Sequence, residues 1–130
     1  MKYILVGVAG IIGAVLRYSL GIAIAHSYPS PIATWFINML GCFFLAFLTA
    51  SIFKMKGLHP YIAPAIGTGL IGSFTTFSTF SVETLQFLQE PNYRIAFLYV
   101  FASLVGGLFM AWAGFRLGNK VWKRFIQEEA

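Results

Sequence analysis

IATWFINMLGCFFLAFLTASIF, residues 32–53, runs for 22 positions without a charged side chain. A helix rises about 1.5 Å per residue and needs roughly 20 apolar residues to cross a bilayer's hydrocarbon core, so this stretch reads as a transmembrane helix. Residues 95–115 repeat the pattern over 21 positions. Residues 3–25 are apolar apart from Arg17, and residues 61–88 form a longer apolar stretch with a Gly- and Thr-rich centre and one acid, Glu83. The chain of 130 residues is 58% hydrophobic and 10% charged, whereas soluble domains carry about 25% charged residues. The expectation is an all-α membrane protein. Residues 1–130 would form one membrane domain of four spans at about 3–25, 32–53, 61–88 and 95–115, with no soluble domain.

The connections carry helix breakers: Tyr28-Pro29-Ser30-Pro31, Lys56-Gly57 with His59-Pro60, and Glu90-Pro91-Asn92. Lys2 before an apolar run and Ala23-Ile24-Ala25 have the shape of a cleavable leader, but Arg17 and the glycines Gly7, Gly10, Gly13 and Gly21 dilute its apolar part, so the first span is expected to be retained. Four spans put both termini on one side. Lys2, Lys54, Lys56, Arg116, Lys120, Lys123 and Arg124 share that side, while one or two cations, Arg94 with or without Arg17, lie opposite. The positive-inside rule then makes the termini cytoplasmic, and the net charge of +5 reads as topology, with no nucleic acid as partner. Cys42 stands alone in mid-span, and His26 and His59 lie in predicted loops away from any acid, so no transition-metal site is assigned. The chain has no Asp, and no His adjoins its hydroxyl-rich segment, which argues against an enzyme.

Polar residues within the spans carry the functional reading, because such groups are costly at membrane depth. Arg17, at a cost of about 3 kcal/mol or more near the middle of the bilayer, either attracts an anion or snorkels to the interface. Thr34 and Asn38 lie four apart on one helical face. The Asn38 amide either solvates an anion or joins two helices, the commoner role. Tyr99 and Ser103 repeat that spacing beside Gly107 and Ala111, offering two hydroxyls next to a small-residue seam for close packing. GTGLIGSFTTFSTFSVE, residues 67–83, mixes three glycines with dense hydroxyls and predicts a break near Gly72 to Thr76, although a merely kinked helix has a similar composition. At a break, carbonyl ends suit a cation and amide ends an anion. Phe77 and Phe80 share a face and can turn positive ring edges toward an anion. Glu83 continues the stripe Thr76, Phe80, Glu83 as a proton carrier, a partner for Arg17 or an interfacial acid, and the residues alone lean to the last. Four helices with lipid outside enclose little, so an oligomer is expected, with dimers commonest.

Three patterns taken together resemble the Fluc family of fluoride channels: Gly10-x-x-Gly13-x-x-x-Arg17-Tyr18, Thr34 with Asn38-Met39-Leu40-Gly41, and Gly72-x-x-Thr75-Thr76-Phe77-Ser78-Thr79-Phe80-Ser81-x-Glu83. The resemblance covers all four spans. It implies a passive channel that exports cytoplasmic fluoride across a bacterial inner membrane, built as an antiparallel dual-topology dimer with two pores around a structural sodium ion. By the same resemblance the third span breaks in mid-membrane, and backbone carbonyls of Gly72 and Thr75 from each subunit hold the sodium. Phe77 and Phe80 would be pore aromatics, and Asn38 would hydrogen-bond fluoride at the pore entrance. Tyr99 and Ser103 would form a polar track, with Thr75, Thr76 and Thr79 as further hydroxyls. Arg17 matches a vestibule arginine and Glu83 the acid that follows the Phe pair. The physics is compatible, since a strongly hydrated anion needs donors to replace water, and entry as HF followed by ionisation makes a passive exit useful.

Dual topology goes with balanced charge, yet seven cations face one or two here. That bias fits one half of a heterodimer with a sister subunit. The homodimer is favoured because this chain keeps both Phe residues, Asn38 and the break motif. The main rival is a proton-coupled exporter resembling small multidrug transporters, which rely on an acid in the first span where this chain has Arg17. A third reading is a non-transporting assembly subunit.

Overall fold

The first connection ends as its prolines dictate. Pro29 is held at φ −56° and ψ 148°, and Pro31 occupies one of the first helical positions, where a missing N–H breaks no helical bond. In the computed structural model, which describes residues 1–90 and 92–129, helix α1 spans Lys2–Ala25 and α2 spans Ser30–Ala50. Pro91, one of the predicted breakers, lies outside the described residues. A 3-10 turn at Ile52–Lys54 leads into a loop containing Gly57, whose φ of 100° suits glycine. The chain becomes helical again as α3 (Ile62–Pro64), continues through π-helical turns over Ala65–Ile71, and ends in α4 (Gly72–Phe74). Thr75 and Thr76 are extended, α5 runs Phe77–Gln89, and α6 runs Tyr93–Glu129. Every regular element among the described residues is helical.

Three stretches are long and apolar enough to cross a membrane: Lys2–Ala25, Ser30–Lys54 and Tyr93–Gln127. The remaining apolar region is divided among α3, the π-helical turns, α4 and α5. The last helix does not stop near residue 115. It extends over 37 residues, about 55 Å, because the sequence after Phe115 contains no proline and its glycine, Gly118, is packed against α2. Side chains point the way lipid requires: Ile11, Val15, Phe97, Leu98, Leu104 and Leu108 are exposed, while among the described residues the buried apolar set is Ala33, Ile37, Met39, Ala50, Ile71 and Ala96.

Glycine sets how closely the helices approach. A Cβ on Gly13 would collide with the Leu70 carbonyl, and one on Gly69 would lie 2.6 Å from Val6 O, so α1 packs backbone to backbone on the π-helical turns. On the other side a Cβ on Gly114 would strike the Phe43 carbonyl, and one on Gly118 would lie 2.5 Å from Phe47 O. The predicted seam of Ser103, Gly107 and Ala111 therefore continues along α6 through Gly114 and Gly118, where contact with α2 is tightest.

Candidate functional site

The link between α4 and α5 is clamped from α2. Thr75 (φ −80°, ψ 160°) and Thr76 (φ −146°, ψ 119°) leave helical conformation. The amide of Asn38 takes up the backbone groups this exposes: Nδ2 donates to Thr76 O at 3.0 Å, and Oδ1 accepts from Thr76 N–H at 2.9 Å. Thr76 is also the N-cap of α5, its Oγ1 accepting from Thr79 N–H at 3.2 Å and donating to Thr79 Oγ1 at 3.0 Å.

Two carbonyls lose their helical donors in consequence. The N–H of Thr76, which an uninterrupted helix would give to Gly72 O, goes to Asn38, and the N–H of Thr79, which would serve Thr75 O, goes to the Thr76 side chain. Both oxygens are hard ligands of the kind alkali and alkaline-earth cations take. Gly72 is exposed, and both residues line an open cavity of about 500 Å³ with Asn38, Phe77, Phe80 and Ser103. The Ser103 hydroxyl is buried without a hydrogen-bond partner among the described residues.

Phe77 and Phe80 sit with ring centroids 5.8 Å apart, and Phe80 lies 5.2 Å from the Tyr99 ring. Phe77 is 80% exposed despite its size. A second cavity, of about 390 Å³, is lined by Arg17 with Ser30, Thr34, Thr76 and Thr79. Thr76 borders both cavities.

Glu83, for which the residues alone leaned to an interfacial role, is buried among helices. Only 5% exposed, it is enclosed by three hydroxyls: Oε1 accepts from Ser30 Oγ at 2.7 Å and Thr34 Oγ1 at 3.0 Å, and Oε2 accepts from Tyr99 OH at 2.8 Å. These donors, not Arg17, satisfy the carboxylate and tie α2, α5 and α6 together. Sequence reasoning put Tyr99 with Ser103 on one track, but the structure gives the Tyr99 hydroxyl to Glu83. It also treated Ser30 only as a loop residue, although Ser30, Thr34 and Asn38 follow one another at four-residue spacing and the first two reach the same carboxylate.

Comparison with known proteins agrees with the resemblance read from the sequence. Residues 4–115 match the family model described as CrcB-like protein, Camphor Resistance (CrcB). A protein of Bacillus cereus named fluoride-specific ion channel FluC 1 is 51% identical over 130 residues, covering 97% of this chain and 89% of the relative. A FluC 1 of Desulfitobacterium hafniense is 49% identical over 111 residues, covering 85% and 97%. A fluoride-specific ion channel FluC 2 of Geobacillus kaustophilus is 40% identical over 117 residues, covering 88% and 91%. With a match running from α1 into α6 and half its residues shared with a relative over nearly its whole length, this chain belongs to the CrcB-like family and is a bacterial multi-pass membrane protein.

Proposed function

We propose that this protein is a passive, fluoride-selective channel that lets cytoplasmic fluoride leave the cell, and not an enzyme. The observation that carries the mechanism is the Asn38 clamp on Thr76, made by two hydrogen bonds. It holds open a link around which Phe77, Phe80, Ser103 and Thr75 gather at one cavity and Arg17, Thr34 and Thr79 at another. Fluoride holds its water strongly, so conduction requires donors along the path. Arg17 draws the anion toward the second cavity. The second N–H of Asn38 Nδ2, the unpartnered Ser103 hydroxyl and the Thr hydroxyls replace hydration water in steps, and the ring edges of Phe77 and Phe80 favour an anion where water is scarce. Chloride, larger and less dependent on strong donors, gains less from the same groups.

In this reading α3 to α5 form the third span, interrupted within the membrane, and two antiparallel copies face each other across the open cavity to give two pores. Gly72 and Thr75 would then lie at the centre of the dimer. Their carbonyls, deprived of helical donors, fit a sodium ion. A sodium ion there would supply fixed positive charge between the two interrupted spans. A heterodimer is the second reading: seven cations share one side of the four-span topology, and relatives exist under the names FluC 1 and FluC 2. The multidrug-type exporter has no support from the comparisons, which match another family throughout.

The test is efflux from liposomes loaded with potassium fluoride or potassium chloride, with valinomycin carrying the potassium and an ion-selective electrode following each anion. Fast fluoride efflux with negligible chloride efflux is expected. Efflux of both anions alike would overturn the selectivity. Efflux only after adding a sister chain would establish the heterodimer, and none under either condition would leave the non-transporting subunit.

A further inference from the structure

The C-terminal third of α6 carries a feature that ion conduction does not use. At about 100° per residue, Arg116, Lys120, Lys123 and Arg124 fall within one arc of about 100°. All four are exposed. Gly118, whose missing side chain lets α6 lie against Phe47 and Ala50 of α2, is on the opposite side of the helix, so the stripe points away from the rest of the chain. Lys54 joins it from the 3-10 turn that follows α2, its Nζ donating to Asn119 Oδ1 at 2.7 Å and lying 5.7 Å from the Phe115 ring. Lys2 and Lys56 lie at the same end, because α1 and α2 run antiparallel and α6 returns alongside α2.

The depth of this stripe follows from its neighbours. The Arg116 guanidinium lies 5.0 Å from the Trp112 ring, a pair suited to the headgroup level where tryptophan and cations collect. From Arg116 to Arg124 the helix advances about 12 Å. The headgroup layer is about 5–8 Å thick on one side, and flexible Lys and Arg side chains span the difference. Flanking the cationic arc on either side, Val121 and Ile126 are each more than 40% exposed, which suits the acyl boundary better than water. The acids Glu128 and Glu129 follow only after the stripe has ended.

We infer that this end of α6, together with Lys54, is a docking surface for anionic phospholipid headgroups. The occupant is identified by charge and position: a row of outward cations beside exposed apolar side chains at headgroup depth meets phosphate and acyl chain together.

Bilayers of phosphatidylcholine with increasing brominated phosphatidylglycerol, or brominated phosphatidylcholine as reference, test this through quenching of tryptophan emission. Trp112 and Trp122 lie on the relevant part of α6, and Trp35 is half-buried against Gly106. Each cation near an anionic surface is worth about fivefold in partitioning. The expected result is several-fold stronger quenching by the brominated phosphatidylglycerol in the unmodified chain. That preference should fall several-fold in K120Q/K123Q/R124Q, which retains Arg116 and Lys54, and persist in K120R/K123R, which keeps the charge. Equal quenching by the two lipids in the unmodified chain, or an undiminished preference in the triple glutamine variant, would overturn the proposal. The readout does not involve fluoride, so a failed channel and a failed lipid site are distinguishable.

Discussion

Asn38 and Thr76 are joined through both ends of one amide, with Nδ2 on the Thr76 carbonyl at 3.0 Å and Oδ1 on the Thr76 N–H at 2.9 Å. Asp at position 38 keeps the acceptor and loses the donor, while Ala loses both and strands two backbone groups in a low-dielectric surrounding. An unsatisfied buried group costs about 1–3 kcal/mol. Asn38→Ala is therefore expected to lower the melting temperature in detergent and to cut fluoride efflux at least tenfold. Asn38→Asp should melt nearer the parent yet conduct as poorly, because a negative charge replaces the donor beside the path.

Glu83 invites a similar comparison. Replacing it with Ala leaves the hydroxyls of Ser30, Thr34 and Tyr99 without their common acceptor. The expected cost is about 1–3 kcal/mol in stability. Tyr99→Phe removes one donor and should cost about 1 kcal/mol. Because the two residues share a hydrogen bond of 2.8 Å, the Glu83→Ala/Tyr99→Phe double variant is expected to fall short of the summed single effects by about 0.5–1 kcal/mol. Additive losses in chemical denaturation would mean that the bond contributes nothing.

The close approach of α6 to α2 gives a steric prediction. Gly114→Ala directs a methyl group at the Phe43 carbonyl, which belongs to backbone and cannot rotate aside. Overpacking of this kind costs about 1–3 kcal/mol. Gly7→Ala meets nothing within 4 Å and should be neutral or stabilise by about 0.5–1 kcal/mol through helix propensity. Thermal melts of the two variants in one detergent check the contrast, and equal behaviour would mean that the helices separate easily.

The transmembrane helices were legible because a charge-free run of helix length has few other uses, and the resemblance to fluoride channels rested on a run, Thr75 to Ser81, that is dense in chemistry. Hydrogen-bond partners were not legible. Asn38 and Thr76 are 38 positions apart, and Ser30 and Glu83 are 53 apart; only the packing of α2 against α5 brings them together, and periodicity carries no information on which helices meet. The extension of α6 beyond residue 115 was hidden by charge. Hydropathy marks where a helix leaves lipid, but a basic, proline-free tail continues the same helix into the headgroups.

Phe77 and Phe80 separate a conducting role from a structural one. Phe77 is 80% exposed, so Phe77→Ile removes little buried contact and should leave the melting temperature within a few degrees of the parent. Phe80 is half-buried against Tyr99 at 5.2 Å, and its replacement by Ile forfeits about 0.5–1.5 kcal/mol of aromatic pairing. Both variants are expected to lose fluoride efflux by tenfold or more, since in the proposed path the ring edges and not the bulk face the anion. A Phe77→Ile variant that conducts normally would remove that residue from the path.

Sodium dependence tests the Gly72 and Thr75 carbonyls without altering a side chain. These oxygens are backbone groups, so substitution does not delete them, but their occupancy can be varied. A ligand that binds only the folded assembly stabilises it by RT ln(1 + [L]/Kd), about 2.7 kcal/mol at a hundredfold excess over Kd. At constant ionic strength, the melting temperature and the fraction of dimer on size exclusion are expected to rise as sodium replaces choline, and potassium, the larger ion, should do less. Asn38→Ala, which releases the two hydrogen bonds that hold Thr76 in the link, should weaken the response, because the two carbonyls are no longer held in place. A dimer whose stability ignores sodium across the range from choline alone to sodium alone would leave the two freed carbonyls as a consequence of the clamp and nothing more.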